Sequence, residues 1–241
     1  GIVIAMQRAV DDLETELASP PSPASGRHPL PTRESFQQTL RALGVTRAST
    51  IVAYDQAQSF SAARLWWLLR NAGFEAARVL DGGLRAWTEA GHPLEKGATA
   101  TIQPSAVTID WGGLPSIEID EVAAFPEHGI LLDARAGERY RGETDTMDPR
   151  AGPIPGALSA PTTGNLERTG FFLPAEELRA RFAGLEVDAS APVAIYCGSG
   201  ITASHQILAL EVAGLSGILF PGSWSQWSND PSRPVATGAI P

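Results

Sequence analysis

The chain has 241 residues, of which 43% are apolar, and a formal net charge of −9. This length allows one large or two ordinary domains with buried cores, and the acidic balance argues against a nucleic-acid binder, because phosphates require clustered Lys and Arg. A single cysteine cannot form an intrachain disulfide, so we expect a free thiol and a cytoplasmic protein. The four histidines are scattered without zinc-ligand spacing, so we expect no metal and no other cofactor.

The N-terminal segment "GIVIAMQRAV" has five apolar residues before Gln7 and Arg8. This run is too short for a signal-peptide core or a membrane span, so we expect no membrane partner.

The chain contains two copies of one pattern. "LGVTRASTIVAYD" (43–55) matches "LEVDASAPVAIYC" (185–197), and each copy continues as helix, glycine stop, short apolar strand, glycine turn and tryptophan. Upstream, "HPLPTRESFQQTL" and "FFLPAEELRARF" both predict a helix that begins after Leu-Pro. Apolar runs that alternate with helical stretches predict an α/β fold with two tandem units, each a parallel sheet flanked by helices.

In the second copy we predict strands at 130–135, 193–197 and 217–220, with helices at about 174–183 and 202–213. Residues 95–116 are rich in Gly, Pro, Thr and Ser without helical periodicity, which is typical of a linker or an extended crossing strand. The predicted boundaries are therefore 1–98 for the first unit, 99–115 for the linker and 116–241 for the second unit.

The single cysteine, Cys197, follows a predicted strand and precedes a helix, in the loop "CGSGIT". Glycines allow successive backbone N–H groups to turn inward, and the helix directs its N-terminus at the same point. Such surroundings favour the thiolate, so we interpret Cys197 as a nucleophile; the alternative is a buried structural cysteine.

The first copy has "DQAQSF" at the corresponding position, with Asp55 in place of the cysteine and no glycine. We therefore expect the first unit to be catalytically silent and unable to hold an anion.

The motifs "YCGSGITA", "LLDAR", "RYRGE", "IPGA", "LDGGLRAW" and "FPGSWSQW" resemble the tandem-domain rhodanese family, particularly its 3-mercaptopyruvate and thiosulfate sulfurtransferase branch and its actinobacterial-type members. The resemblance covers nearly the whole chain. It implies that a cysteine takes a sulfane sulfur from a small-molecule donor, holds it as a persulfide and passes it to cyanide or to a thiol, either a low-molecular-weight thiol or a thioredoxin-like protein.

By this resemblance Cys197 is the persulfide-forming cysteine, and the loop that binds the donor consists of Gly198, Ser199, Gly200, Ile201 and Thr202. Arg135 matches the family's substrate-binding arginine, and the alternative is a strand-end arginine paired with Asp133 or another acid. Arg141, and also Arg150, are candidates for a second cation. His28 matches a histidine proposed to relay protons with the loop Ser199 and an acid, for which Asp12 and Glu14 are candidates.

The first unit departs from the family pattern at its start. Its first residues correspond to the segment after "IPGA" in the second unit. We therefore expect about forty residues, and with them the first strands, to be missing from its start.

Because "CGSGIT" contains no cation, while family members that favour thiosulfate tend to carry basic residues after the cysteine, we also expect 3-mercaptopyruvate to be the better donor. A Cys-based phosphatase, which needs an arginine six residues after the cysteine, finds Ala203 there and is disfavoured. A non-catalytic rhodanese-like binding or regulatory module remains the other alternative.

Overall fold

The structure is a computed structural model that describes residues 17–56, 58–94 and 102–237. The chain divides into two compact units. The first takes residues 30–114 and 169–171 with the described residues before 20, and the second takes residues 20–29, 115–168 and 172–237. The segment 20–29 thus packs with the second unit although it precedes most of the first in sequence. The boundaries at 98/99 and 115/116 remain a prediction.

The first unit alternates helices and short strands. Its described elements are α1 (Arg33–Ala42), β1 (Val52–Ala53), α2 (Phe60–Asn71), β2 (Arg78–Val79) and α3 (Gly83–Glu89). The two strands pair in parallel. Helix α2 is apolar around most of its circumference, and it accordingly buries Trp66, Trp67, Leu68 and Leu69 in the core.

The second unit is built around a four-stranded sheet. In chain order its elements are α4 (Ile119–Ala124), β3 (Ile130–Asp133), α5 (Gly137–Tyr140), β4 (Leu158–Ser159), α6 (Ala175–Ala183), β5 (Val193–Tyr196), α7 (Ile201–Val212), β6 (Ile218–Leu219) and α8 (Ser223–Trp227), with 3-10 turns at Phe125–Glu127 and Thr162–Asn165. The strand order is β4-β3-β5-β6 and every pairing is parallel. The predicted alternation and the predicted parallel sheet are confirmed.

The two central strands end side by side. Asp133 of β3 is in register with Tyr196 of β5, so the residues that follow them emerge at the same edge of the sheet. All four residues of β5 are buried, as expected for a central parallel strand covered on both faces. Ligands of parallel α/β sheets bind beyond the carboxyl ends of the strands, and this edge carries Cys197 and Arg135.

Helix α7 contains a fully buried histidine, His205. Its Nδ1 lies 2.7 Å from Oγ1 of Thr162, and its ring stacks on Phe172 with 4.6 Å between ring centroids. Burial lowers the pKa of His205 to about 3, so the imidazole is neutral in the folded protein.

We expect this histidine to destabilise the protein in acid. Between its ordinary pKa of 6.5 and about 3, only the unfolded chain binds the proton, so the free energy of unfolding falls with falling pH. The loss attributable to His205 is about 2.5 kcal/mol between neutral pH and about pH 4.5. The measurement is urea unfolding across this range for the parent and for His205→Asn, which cannot titrate. The variant should show the shallower pH dependence, and equal dependences would contradict the assignment.

Candidate active site

Cys197 lies between the end of β5 and the start of α7, and it is 1% exposed. The backbone N–H of Gly200 donates to its Sγ at 3.1 Å. Gly200 has φ +85°, and a Cβ there would lie 2.5 Å from the carbonyl oxygen of Pro221, so only glycine fits this turn. Ile201 and Thr202 form the first turn of α7. The thiol therefore faces an N–H donor at the positive end of a twelve-residue helix.

The start of α8 fixes the backbone of the cysteine loop. Oγ of Ser223 accepts a hydrogen bond from the N–H of Cys197 at 3.1 Å and lies 4.0 Å from Sγ. The same hydroxyl donates to the Phe220 carbonyl at 2.9 Å. The N–H groups of Trp224 and Ser225 donate to the carbonyls of Cys197 and Gly198, both at 2.9 Å. With these carbonyls bound to α8, the loop is held in one conformation. The motif "FPGSW" marks this turn in the sequence, but the contact of Ser223 with the loop was not predicted.

His28 and Ser199 lie together, as the resemblance implied. Nδ1 of His28 is 2.8 Å from Oγ of Ser199. The preceding residues are tied to α8, because the N–H of Arg27 donates to Ser225 Oγ at 3.0 Å and the Gln226 side chain donates to the Ala24 carbonyl. Asp12 and Glu14, the candidate acids for this histidine, lie outside the described residues.

The Arg135 guanidinium is buried and bound by protein groups, so it is not open to a sulfur donor. It donates to both carboxylate oxygens of Asp133 and to the Gly152 carbonyl, and it lies over the Trp224 ring at 4.4 Å. The side chain is 1% exposed. Although burial alone would lower the pKa of Arg135, the adjacent Asp133 raises it above its usual value. This geometry favours the alternative, a buried strand-end ion pair, over donor binding.

The two weaker cation candidates have other partners. Arg141 is exposed and forms a bidentate pair with Glu143. Arg150 donates to four backbone carbonyls at and after the end of α8, those of residues 227, 228, 230 and 233. Its guanidinium therefore satisfies carbonyls at the C-terminal end of that helix. These contacts indicate structural roles for both arginines.

Two other arginines lie next to the cysteine loop. A Cβ built on Gly198 would be 3.1 Å from Nη1 of Arg139 and 3.1 Å from Nη2 of Arg27. The loop has no cation of its own, but two guanidinium groups flank the residue that follows Cys197, and this removes the charge argument for 3-mercaptopyruvate as the better donor. Arg139 and the candidate Arg141 both lie in the motif "RYRGE", whereas no local pattern identified Arg27.

Two buried aspartates, Asp145 and Asp148, form ion pairs with these arginines. Arg139 donates to Asp145 and Asp148, and Arg27 pairs with the other oxygen of Asp148. Both aspartate side chains are 1% exposed, and burial raises the pKa of Asp148 although Arg27 opposes the shift. Arg135 also reaches Asp145, at 3.5 Å. Alternating charges therefore form a continuous chain from the end of β3 to the cysteine loop, namely Asp133, Arg135, Asp145, Arg139, Asp148 and Arg27.

The corresponding loop of the first unit contains its own anion. The Asp55 carboxylate accepts the N–H groups of Ser59 at 2.9 Å, Ser61 at 3.2 Å and Ala62 at 3.3 Å, at the start of α2. Ser59 supplies the left-handed residue, with φ +61°, that glycine supplies in the second unit. The reason for the expectation was wrong, because this loop forms a cradle without glycine. The Asp55 carboxylate itself fills the cradle.

Within the described ranges, no cluster of three or more His, Cys, Asp or Glu side chains is arranged to hold a metal ion. None of the helices seen there combines the length and apolarity needed to cross a membrane.

A family model described as "Rhodanese-like domain" matches residues 18–90 and 118–230. A relative from Pseudomonas aeruginosa, named as a 3-mercaptopyruvate sulfurtransferase, is 43% identical over 240 residues, which cover 94% of this chain and 82% of the relative. A relative from Mycobacterium tuberculosis, named as the thiosulfate sulfurtransferase SseB, is 40% identical over 229 residues, covering 94% and 80%. The solved structure of wild-type EanB superposes with a TM-score of 0.79 at 25% identity, covering 93% of this chain and 57% of EanB.

These matches confirm the predicted fold, two rhodanese-like units with parallel sheets flanked by helices. The chain therefore belongs to the rhodanese family, and it is a sulfurtransferase.

Proposed function

We propose that the second unit transfers a sulfane sulfur from 3-mercaptopyruvate or thiosulfate, through a persulfide on Cys197, to a thiol or to cyanide. The observation that carries this proposal is the Gly200 N–H, which donates to Cys197 Sγ at the N-terminus of α7. A sulfur anion is stabilised at such a position, as a thiolate before the reaction and as a persulfide after it. The relatives named for each donor support the same donor class.

In the first half-reaction the Cys197 thiolate attacks the donor sulfur and forms an S–S bond. With 3-mercaptopyruvate the C–S bond breaks, its electron pair passes to carbon, and the resulting enolate takes a proton to become pyruvate. With thiosulfate the S–S bond breaks and its electron pair leaves with sulfite. In both cases Arg27 and Arg139 lie beside Gly198, where they can neutralise the anionic part of the donor.

In the second half-reaction an acceptor thiolate attacks the outer sulfur of the persulfide. A new S–S bond forms, the old one breaks, and its electron pair returns to Cys197 as the thiolate. Cyanide attacks the same atom and leaves as thiocyanate. The acceptor thiols that we propose are a low-molecular-weight thiol or a thioredoxin-like protein in the cytoplasm, a location consistent with the unpaired Cys197.

We assign the proton transfers to His28 and Ser199. Their 2.8 Å separation allows a proton to pass between the imidazole and the hydroxyl of the cysteine loop. The enolate formed from 3-mercaptopyruvate needs a proton, whereas sulfite does not. This pair therefore matters for the carbon-based donor and much less for thiosulfate.

Mass spectrometry of the intact protein tests the persulfide. After incubation with either donor and removal of small molecules, we expect a gain of about 32 Da, one sulfur atom, that maps to Cys197 and disappears on addition of cyanide. Protein alkylated with iodoacetamide beforehand is the control and should gain no sulfur. If the protein were a phosphatase or a non-catalytic module, no adduct would form. If the protein transfers sulfur while Cys197 stays unmodified, the persulfide mechanism is wrong.

A further inference from the structure

The ends of the charge chain have different surroundings. Arg135, next to the Asp133 end, has a side chain that is 1% exposed, whereas Arg27 at the other end is 27% exposed and Arg139 between them is 20% exposed. The intermediate Arg139 donates to two carboxylates through Nη2, while Arg27 pairs with the single carboxylate of Asp148. Arg27 is therefore the least neutralised cation of the chain, and the one most open to a ligand.

One free donor of Arg27, Nη2, lies beside the cysteine loop. Nη1 makes the ion pair with Asp148, whereas Nη2 is the atom beside Gly198 and has no protein partner among the described residues. Nε is buried and likewise has no partner within those residues. Gly198 directly follows Cys197, so Nη2 of Arg27 lies beside the residue next to the nucleophile, where it can attract the anionic group of a sulfur donor.

The charge balance of the chain depends on Arg27. Three arginines and three aspartates cancel, so loss of Arg27 leaves a net negative charge beside the cysteine loop. Near a loop that must accept an anion, such a charge repels a dianion about twice as strongly as a monoanion at the same position. Thiosulfate is a dianion whose sulfonate is bonded directly to the transferred sulfur, whereas 3-mercaptopyruvate carries one carboxylate on the far side of a carbonyl.

We propose that Arg27 determines donor specificity: its Nη2 beside Gly198 favours a dianionic sulfur donor over a monoanionic one, and Asp148 positions it there. This inference rests on the proposed function, because it concerns the donor of the same cysteine. It assigns a binding role to a segment, residues 20–29, that packs on α8 of the catalytic unit.

The test measures kcat/KM for thiosulfate and for 3-mercaptopyruvate with cyanide as the common acceptor. Arg27→Gln should lower the value about 25-fold for thiosulfate and about fivefold for 3-mercaptopyruvate, since a given loss of attraction counts twice for a dianion. The effect should appear mainly in KM. Arg27→Lys keeps the charge and should hold the ratio of the two values within about twofold of the parent.

The matched control is Arg233→Gln, in the same unit. Arg233 is also an ion-paired arginine, 21% exposed, but its partners are Asp120 and Asp230. It should leave the donor ratio unchanged. If Arg27→Gln does not fold, Arg27→Met, which keeps the apolar stem and removes the charge, is measured in its place.

The outcomes separate this inference from the proposed function. If the parent transfers sulfur from both donors and the Arg27 variant lowers kcat/KM for both by the same factor, or for neither, Arg27 does not select the donor. If the parent transfers sulfur from neither donor, the proposed function itself is wrong. A loss that is selective for thiosulfate, absent in Arg233→Gln and reversed by lysine, is the result that we expect.

Discussion

Cys197→Ser should lower kcat/KM at least about 1000-fold with either donor, because a serine hydroxyl is a weak nucleophile and forms no stable adduct with a sulfane sulfur. The chain has no second cysteine that could substitute for the lost thiol. The fold should survive, because serine is close in size and its oxygen can accept the Gly200 N–H that Sγ accepts in the parent.

Steady-state assays with both donors measure this loss, and urea unfolding checks that the variant is folded. We expect the free energy of unfolding to change by less than about 2 kcal/mol. Activity within about tenfold of the parent, in a folded Cys197→Ser protein, would show that the sulfur does not pass through this residue. A large loss of stability would instead assign Cys197 the structural role that is the usual fate of a buried lone cysteine.

The parts of the fold that could be predicted are those that local sequence determines. Strand β5 is a continuous apolar run, "CGSGIT" breaks it, and α7 follows, so the cysteine had to lie at the carboxyl end of a strand. Comparison of the two copies supported this interpretation, because the same strand, turn and helix recur around Asp55. The contact between His28 and Ser199 was available only through the family resemblance, since the two residues are far apart in sequence.

Partner choice among charged residues could not be predicted, because it depends on which side chains the fold brings together. Arg135 and Arg139 are close in sequence, yet one is bound by Asp133 and the other approaches Gly198. The loop around Asp55 shows the same limit: the side chain that we expected to repel an anion is itself the anion bound at the start of α2. The charges within a loop do not predict its donor preference when the cations beside it come from other segments of the chain.

The role of Arg135 can be decided by a stability measurement. Its partner Asp133 is fully buried, so Arg135→Met would leave a carboxylate in the core without its main cation. Loss of one member of a buried pair costs about 3–5 kcal/mol, so we expect a reduction of this size in the free energy of unfolding. An arginine that only binds the donor would instead change KM with little effect on stability.

The double variant Asp133→Asn with Arg135→Met provides the decisive comparison. It removes the unpaired charge as well as its partner, and it should recover at least about half of the stability lost in Arg135→Met. Arg141→Gln, an exposed arginine paired with Glu143, is the control and should unfold at the same urea concentration as the parent. Tryptophan fluorescence, to which the buried Trp224 and Trp227 of this unit contribute, reports unfolding of the chain. If Arg135→Met is as stable as the parent but its KM for both donors rises about tenfold or more, Arg135 binds the donor after all, as the family resemblance implied.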